Sequence, residues 1–126
     1  MKRILVIDDS EANLLLINSI FEDDPEIEVA LENNSTRALK TVRKQNPDLI
    51  LLDLMMPNID GFQILGEMRK DSFLDKIPVM IVSARLDSEA KKEAKKYRVS
   101  DYIEKPLDLD LIEKKIYQIL NIRPVA

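Results

Sequence analysis

Short apolar runs and stretches of helical spacing alternate five times along this chain, and no other property narrows its possible folds as much. Residues 3–7 (Arg3-Ile4-Leu5-Val6-Ile7) are a β-branched run that reads as a buried strand. Ser10 is then a candidate helix N-cap, ahead of Leu14, Ile17 and Phe21 at helical spacing. Beyond Pro25, residues 27–31 alternate as an edge strand does. Ser35 is placed to cap a second helix whose apolar stripe is Ala38, Leu39 and Val42. The turn Asn46-Pro47-Asp48 leads into Leu49-Ile50-Leu51-Leu52, apolar throughout as a central strand covered on both faces requires, and Asp53 ends it. After a turn at 57–61, the spacing predicts a helix over about 61–70 carrying Phe62, Leu65 and Met68. Pro78 opens a fourth strand over 79–82, ended by Ser83. A lysine-rich helix follows over about 87–97, then a short strand at Tyr102-Ile103 and the pair Lys105-Pro106. Leu109, Ile112, Ile116, Ile119 and Leu120 mark the apolar face of a last helix.

Five βα units without an internal repeat or linker predict one α/β domain, a doubly wound parallel sheet with helices on both faces. Sites in such sheets form beyond the carboxyl ends of the strands, where the strand order reverses. Those ends therefore decide what the chain can do. The first gives Asp8 and Asp9, the third Asp53, the fourth Ser83 and the fifth Lys105. Singly, each has a plain explanation: an acid after a strand is usually a cap or turn residue, and a lone lysine usually faces water. Gathered into one crevice, they place three carboxylates, a hydroxyl and an ammonium together. Converging carboxylates repel one another, and a bound divalent cation relieves that repulsion.

Composition limits what that cation and chemistry can be. With no cysteine and no histidine, the chain offers neither thiolate nor imidazole ligands, so a metal must be bound through oxygen, which suits Mg²⁺. A carboxylate beside such a metal can act as a nucleophile and form an aspartyl phosphate, with the lysine and hydroxyl meeting the phosphoryl oxygens. Two glycines leave no Gly-rich phosphate loop. The net charge of -4 argues against direct nucleic acid binding, and no apolar run approaches the ~20 residues that span a bilayer. The first apolar run stops at Asp8-Asp9, unlike a signal peptide, so a cytoplasmic location without membrane association is expected.

Five segments together resemble the receiver domain of two-component response regulators: Ile4-Leu5-Val6-Ile7-Asp8-Asp9-Ser10, the run from Pro47 through Asp53 to Pro57, Asp60-Gly61-Phe62, the run from Pro78 to Ala84, and Asp101-Tyr102-Ile103-Glu104-Lys105-Pro106. The resemblance covers nearly the whole chain. It implies a flavodoxin-like fold with strand order 2-1-3-4-5, a receiver domain over residues 1–122, and a short tail or linker start over 123–126. It also implies Asp53 as phosphoacceptor, with Mg²⁺ held by Asp9, Asp53 and the Met55 backbone carbonyl and by Asp8 through water. Lys105 would pair with the phosphoryl oxygens. Ser83 and Tyr102 would be the switch pair, and the Lys105-Pro106 peptide would be cis.

By the same resemblance, a sensor histidine kinase or histidine phosphotransfer protein is the donor, since this chain has no histidine of its own. The output partner is unknown. The output face would combine the fourth helix, fifth strand and fifth helix. The chain would promote only its own phosphorylation and dephosphorylation, as a signalling domain and not an enzyme. Two rival functions are a small Mg²⁺-dependent phosphatase working through an aspartyl phosphate, and a receiver-like binding module that takes no phosphate. Relatives often carry glycine where this chain has Arg98, so the loop after the fourth helix is expected to differ in shape. Met55 and Arg85, each two residues beyond a site residue, are expected at the mouth of the site. The lysines at 91, 92, 95 and 96 read as a solvated helix face.

Overall fold

Strand pairing and helix packing are described by a computed structural model covering residues 1–122. The strands are β1 (Lys2–Ile7), β2 (Ile27–Glu32), β3 (Leu49–Leu52), β4 (Val79–Ser83) and β5 (Asp101–Glu104). They form one five-stranded sheet in the order β2-β1-β3-β4-β5, every pair parallel. The helices are α1 (Glu11–Ile20), α2 (Ala38–Gln45), α3 (Gly61–Lys70), α4 (Ser88–Lys96) and α5 (Leu109–Leu120). The tail expected over residues 123–126 lies outside the described residues.

The period-two geometry of a strand explains the two cores. Leu5, Ile7, Ile50, Leu52, Val79 and Ile81 point to one face, where α2, α3 and α4 cover them with Val42, Leu65, Met68, Ala90 and Ala94. Ile4, Val6, Leu49, Leu51, Met80, Val82 and Ile103 point to the other, under Leu14 and Ile17 of α1 and Ile112 and Ile116 of α5. A strand buried on both faces has no polar position to spare, hence the unbroken Leu49–Leu52 run. Across the α1/α5 face, the Phe21 and Tyr117 rings meet edge to face at 5.9 Å, and the Tyr117 hydroxyl donates to the buried Asp24 carboxylate.

Caps set the helix starts. Ser10, Asp60, Asp87 and Asp108 each accept a backbone N–H three residues on, and Gln63 completes a capping box with Asp60. The expected cap at Ser35 is not formed. Ser35–Arg37 is a single 3-10 turn capped by Asn34, and α2 continues from it. Asn34 reaches the Thr36 N–H at 2.9 Å, while the Ser35 side chain turns to another loop. Arg98 takes the left-handed conformation (φ 57°) that glycine reaches freely, a strain of ~1 kcal/mol for a residue with a β-carbon. Asn46 and Asn121 end α2 and α5 in the same conformation, which asparagine tolerates better.

The end of β2 carries a buried carboxylate that strand-end reading passed over. Glu32 accepts the Thr41 hydroxyl at 2.6 Å and the Asn34 N–H at 2.9 Å, with Arg37 at 3.4 Å. Burial pushes its pKa up, but these hydrogen bonds and the guanidinium prevail and hold it below the ordinary carboxylate value. A depressed folded pKa gives stability that is present above about pH 4.5 and lost as the pH falls through the folded value. Glu32→Gln should therefore lower stability by about 1 kcal/mol at pH 7 in urea denaturation. The gap from wild type should narrow below pH ~4.5; a gap independent of pH would contradict this account.

Candidate functional site

The register of the sheet brings the acids together before any side chain is considered. Ile7 of β1 lies opposite Leu52 of β3, so the next residues, Asp8 and Asp53, emerge side by side, and the Asp53 N–H donates to the Ile7 carbonyl at 3.0 Å. β1 is also the strand at which the winding reverses, since β2 lies on one side of it and β3 on the other. One local device orients both carboxylates. Asp8 Oδ1 accepts the Ser10 N–H at 2.9 Å, and Asp53 Oδ1 accepts the Met55 N–H at 3.1 Å. Each acid is thus held by the amide two residues on, as in an Asx-turn.

Lys105 reaches this pair from the end of β5, with its N–H bonded to the Ser83 carbonyl at 2.9 Å and a cis peptide to Pro106. Its Nζ lies 2.9 Å from Asp8 Oδ2 and 3.0 Å from Asp53 Oδ2. The side chain is 17% exposed, against 3% for Asp8 and 4% for Asp53, so all three groups are largely cut off from water. Burial alone pulls the Lys105 pKa down. The hydrogen bonds and negative charge of Asp8 and Asp53 outweigh it, and the pKa is raised.

Asp9 is exposed at the rim, and it, Asp8 and Asp53 each bring a carboxylate oxygen within 4.8 Å of the others. Three carboxylates against one ammonium leave an excess of negative charge, and oxygen donors at this spacing suit a hard divalent cation. Each remaining residue singled out in the sequence has a definite place. The Met55 side chain is 57% exposed beside Asp53. Ser83 is fully buried, and its hydroxyl accepts the Arg85 N–H at 3.3 Å. Arg85 extends outward, its guanidinium 3.7 Å from Asp87. Tyr102 is half-buried against the α2–α4 core, with the Lys91 ammonium 5.1 Å from its ring centroid. Lys91 remains exposed on the α4 face, with its ammonium over that ring.

Two contributors carried no separate signal in the sequence. Asn13, one turn into α1, donates its amide to Asp8 Oδ2 at 3.4 Å. Gly61 lies so close to the acceptor strand that a Cβ there would stand 2.7 Å from the Asp53 carbonyl oxygen and 2.8 Å from Leu54 Cα. Its place after Asp60 looked like ordinary turn chemistry; the need for glycine is one of space, because α3 starts against the backbone of Asp53.

Comparison with known proteins adds an independent line. Residues 4–117 match the sequence model of the response regulator receiver domain. The chain is 31% identical over 120 residues to Protein PilH of Pseudomonas aeruginosa, covering 95% of this chain and 98% of that protein. Of other curated relatives it spans less, 54% of one and 26% of another. Among solved structures, the phosphorylated cyanobacterial phytochrome response regulator RcpA superposes with a TM-score of 0.83 at 29% identity, over 95% of this chain and 94% of that one. The Mn²⁺-bound form of response regulator Rcp1 does so at 0.80 and 25%, over 94% and 91%.

Lys105→Met removes the one ammonium between two buried carboxylates. Chemical denaturation at pH 7 without metal should show a loss of about 3 kcal/mol. In an Asp53→Asn background the same change should cost at least ~1 kcal/mol less, because one of the two carboxylates is already neutral. Simple additivity would mean that Lys105 and Asp53 are not coupled.

Proposed function

The chain belongs to the response regulator receiver family, and on that premise we propose that Asp53 takes a phosphoryl group from a phosphohistidine on a partner protein. As a receiver domain of two-component response regulators, the chain works as a phosphorylation switch. The observation that supports Asp53 as the acceptor is the convergence at its head group. Lys105 lies 3.0 Å from it, and Asp8 and Asp9 each bring an oxygen within 4.8 Å.

In the proposed reaction an Asp53 carboxylate oxygen forms a bond to phosphorus as the donor's N–P bond breaks. The electron pair of that bond returns to the imidazole nitrogen. Lys105, already charged and directed at the Asp53 oxygen, offsets the negative charge gathering on the phosphoryl oxygens. Asp8, with its Oδ1 tied to Ser10, stays in place as the second partner of the ammonium. Asp8, Asp9 and Asp53 with the Met55 carbonyl would hold Mg²⁺, which when bound supplies countercharge where carboxylates meet an anionic phosphoryl group. A Mn²⁺-bound similar protein and a phosphorylated one support a divalent cation and phosphoryl chemistry by likeness.

The acyl phosphate then offers acceptor oxygens that the free carboxylate lacks. The Ser83 hydroxyl, whose oxygen accepts the Arg85 N–H at 3.3 Å in the unmodified protein, can donate its own O–H to a phosphoryl oxygen. Tyr102, half-buried in a strand that borders β4, follows the space Ser83 vacates, and the population shifts between two states. The output face is then formed by α4, β5 and α5. The donor is a sensor histidine kinase or a histidine phosphotransfer protein. Water ends the signal by hydrolysing the acyl phosphate.

Phos-tag electrophoresis after incubation with acetyl phosphate and Mg²⁺ tests the acceptor. The wild type should give a retarded band that hydroxylamine removes, and Asp53→Asn should give none. Lys105→Met should slow band formation by about a hundredfold. A retarded band that persists in Asp53→Asn would refute the assignment.

A further inference from the structure

The loop from Leu54 to Asp60 connects the acceptor strand to α3 and carries Met55 at its near end. Its apolar side is anchored by Leu54 and Met56, both buried. Its polar side needs other partners, because Pro57 has no N–H and Asn58 turns the backbone into the left-handed region at φ 73°. At the near end, the Met55 N–H is bonded to Asp53, and the Leu54 carbonyl accepts the Gly61 N–H at 3.0 Å. At the far end, the Ile59 N–H donates to the Pro57 carbonyl at 2.9 Å within the loop, and a second fastening comes from another part of the chain. Ser35, 5% exposed in the turn after β2, donates its hydroxyl to the Pro57 carbonyl at 2.6 Å and accepts the Ile59 N–H at 3.4 Å.

We propose that Ser35 is a positioning residue for the site, its hydroxyl clamping both sides of Asn58 and so setting where the Met55 carbonyl and Asp53 carboxylate are presented to a divalent cation. The inference rests on the cation reading above. Met55 cannot hold itself in place, since its side chain lies mostly in solvent. Its carbonyl is located by the backbone on either side, by Asp53 before it and by the clamped tip after it. With the hydroxyl removed, the Pro57 carbonyl keeps the Ile59 N–H within the loop at 2.9 Å, but the tip loses its tie to the turn after β2, while Asp53 and its lysine are untouched. Ser35 touches no site residue, so its effect must travel through the loop.

The test is an NMR-monitored Mg²⁺ titration of the full chain, with hydrogen exchange of the Ile59 amide as a second readout. Ser35→Ala and Ser35→Gly should both weaken Mg²⁺ binding about fivefold, roughly what one lost hydrogen bond allows. Both should accelerate Ile59 exchange, and Ser35→Thr, which keeps the hydroxyl, should restore each property at least in part. Wild-type affinity in both hydroxyl-free variants overturns the role of Ser35, whatever their melting temperatures. Failure of the wild type itself to bind Mg²⁺ overturns the cation reading, and the inference with it.

Discussion

A single ammonium between two buried carboxylates is the contact on which this site depends. Lys105 arrives from the far side of the sheet to lie 2.9 Å from Asp8 and 3.0 Å from Asp53. Without it, two acids less than a twentieth exposed would stand side by side in a medium that punishes unpaired charge. With it, the acids are paired and oriented, and the cluster keeps an excess of negative charge open to the rim through Asp9. That balance is what an acceptor site needs: a carboxylate held ready by a cation that can later follow a phosphoryl oxygen.

The fold produces this contact by placement more than by local chemistry. Parallel strands send all their carboxyl ends to one rim, and the β1–β3 register sets Asp8 beside Asp53. Two apolar layers, one on each face of the sheet, hold that register, because slipping a strand by one residue would exchange its faces. The cores and the site therefore have one origin. Where a strand leaves the sandwich its first residue is free to be polar, and at β1, β3 and β5 that freedom is used for the site, while β4 ends on the buried Ser83.

Much of this was legible in the chain itself. Asp8, Asp9, Asp53 and Ser83 end runs too apolar to be anything but buried strands, and Lys105 follows the short Tyr102-Ile103 strand, so parallel topology gathers them at one rim. The partners of each group were not legible. Counting charges gave mutual repulsion among three acids, but could not show that Lys105 bridges two of them. Ser35 stood where a helix cap belongs, and only the approach of the Pro57 loop gave its hydroxyl a nearer acceptor. Gly61 looked like turn chemistry, though its reason is a backbone 2.7 Å from where a Cβ would sit. Glu32 ends an edge strand, and its role in joining β2 to α2 came from Thr41, which the fold brings to within 2.6 Å of its carboxylate. Close approach and choice of partner are properties of three dimensions, and a strand pattern does not carry them.

Direct titration of the Lys105 amine by ¹⁵N-detected NMR on the metal-free protein measures the central contact itself. Burial and the paired carboxylates push its pKa in opposite directions, and the carboxylates prevail. The wild type should titrate above the ordinary lysine value, and Asp53→Asn should bring the value down as one of the two partners loses its charge. A Lys105 pKa at or below the ordinary value, unmoved by Asp53→Asn, would contradict the account.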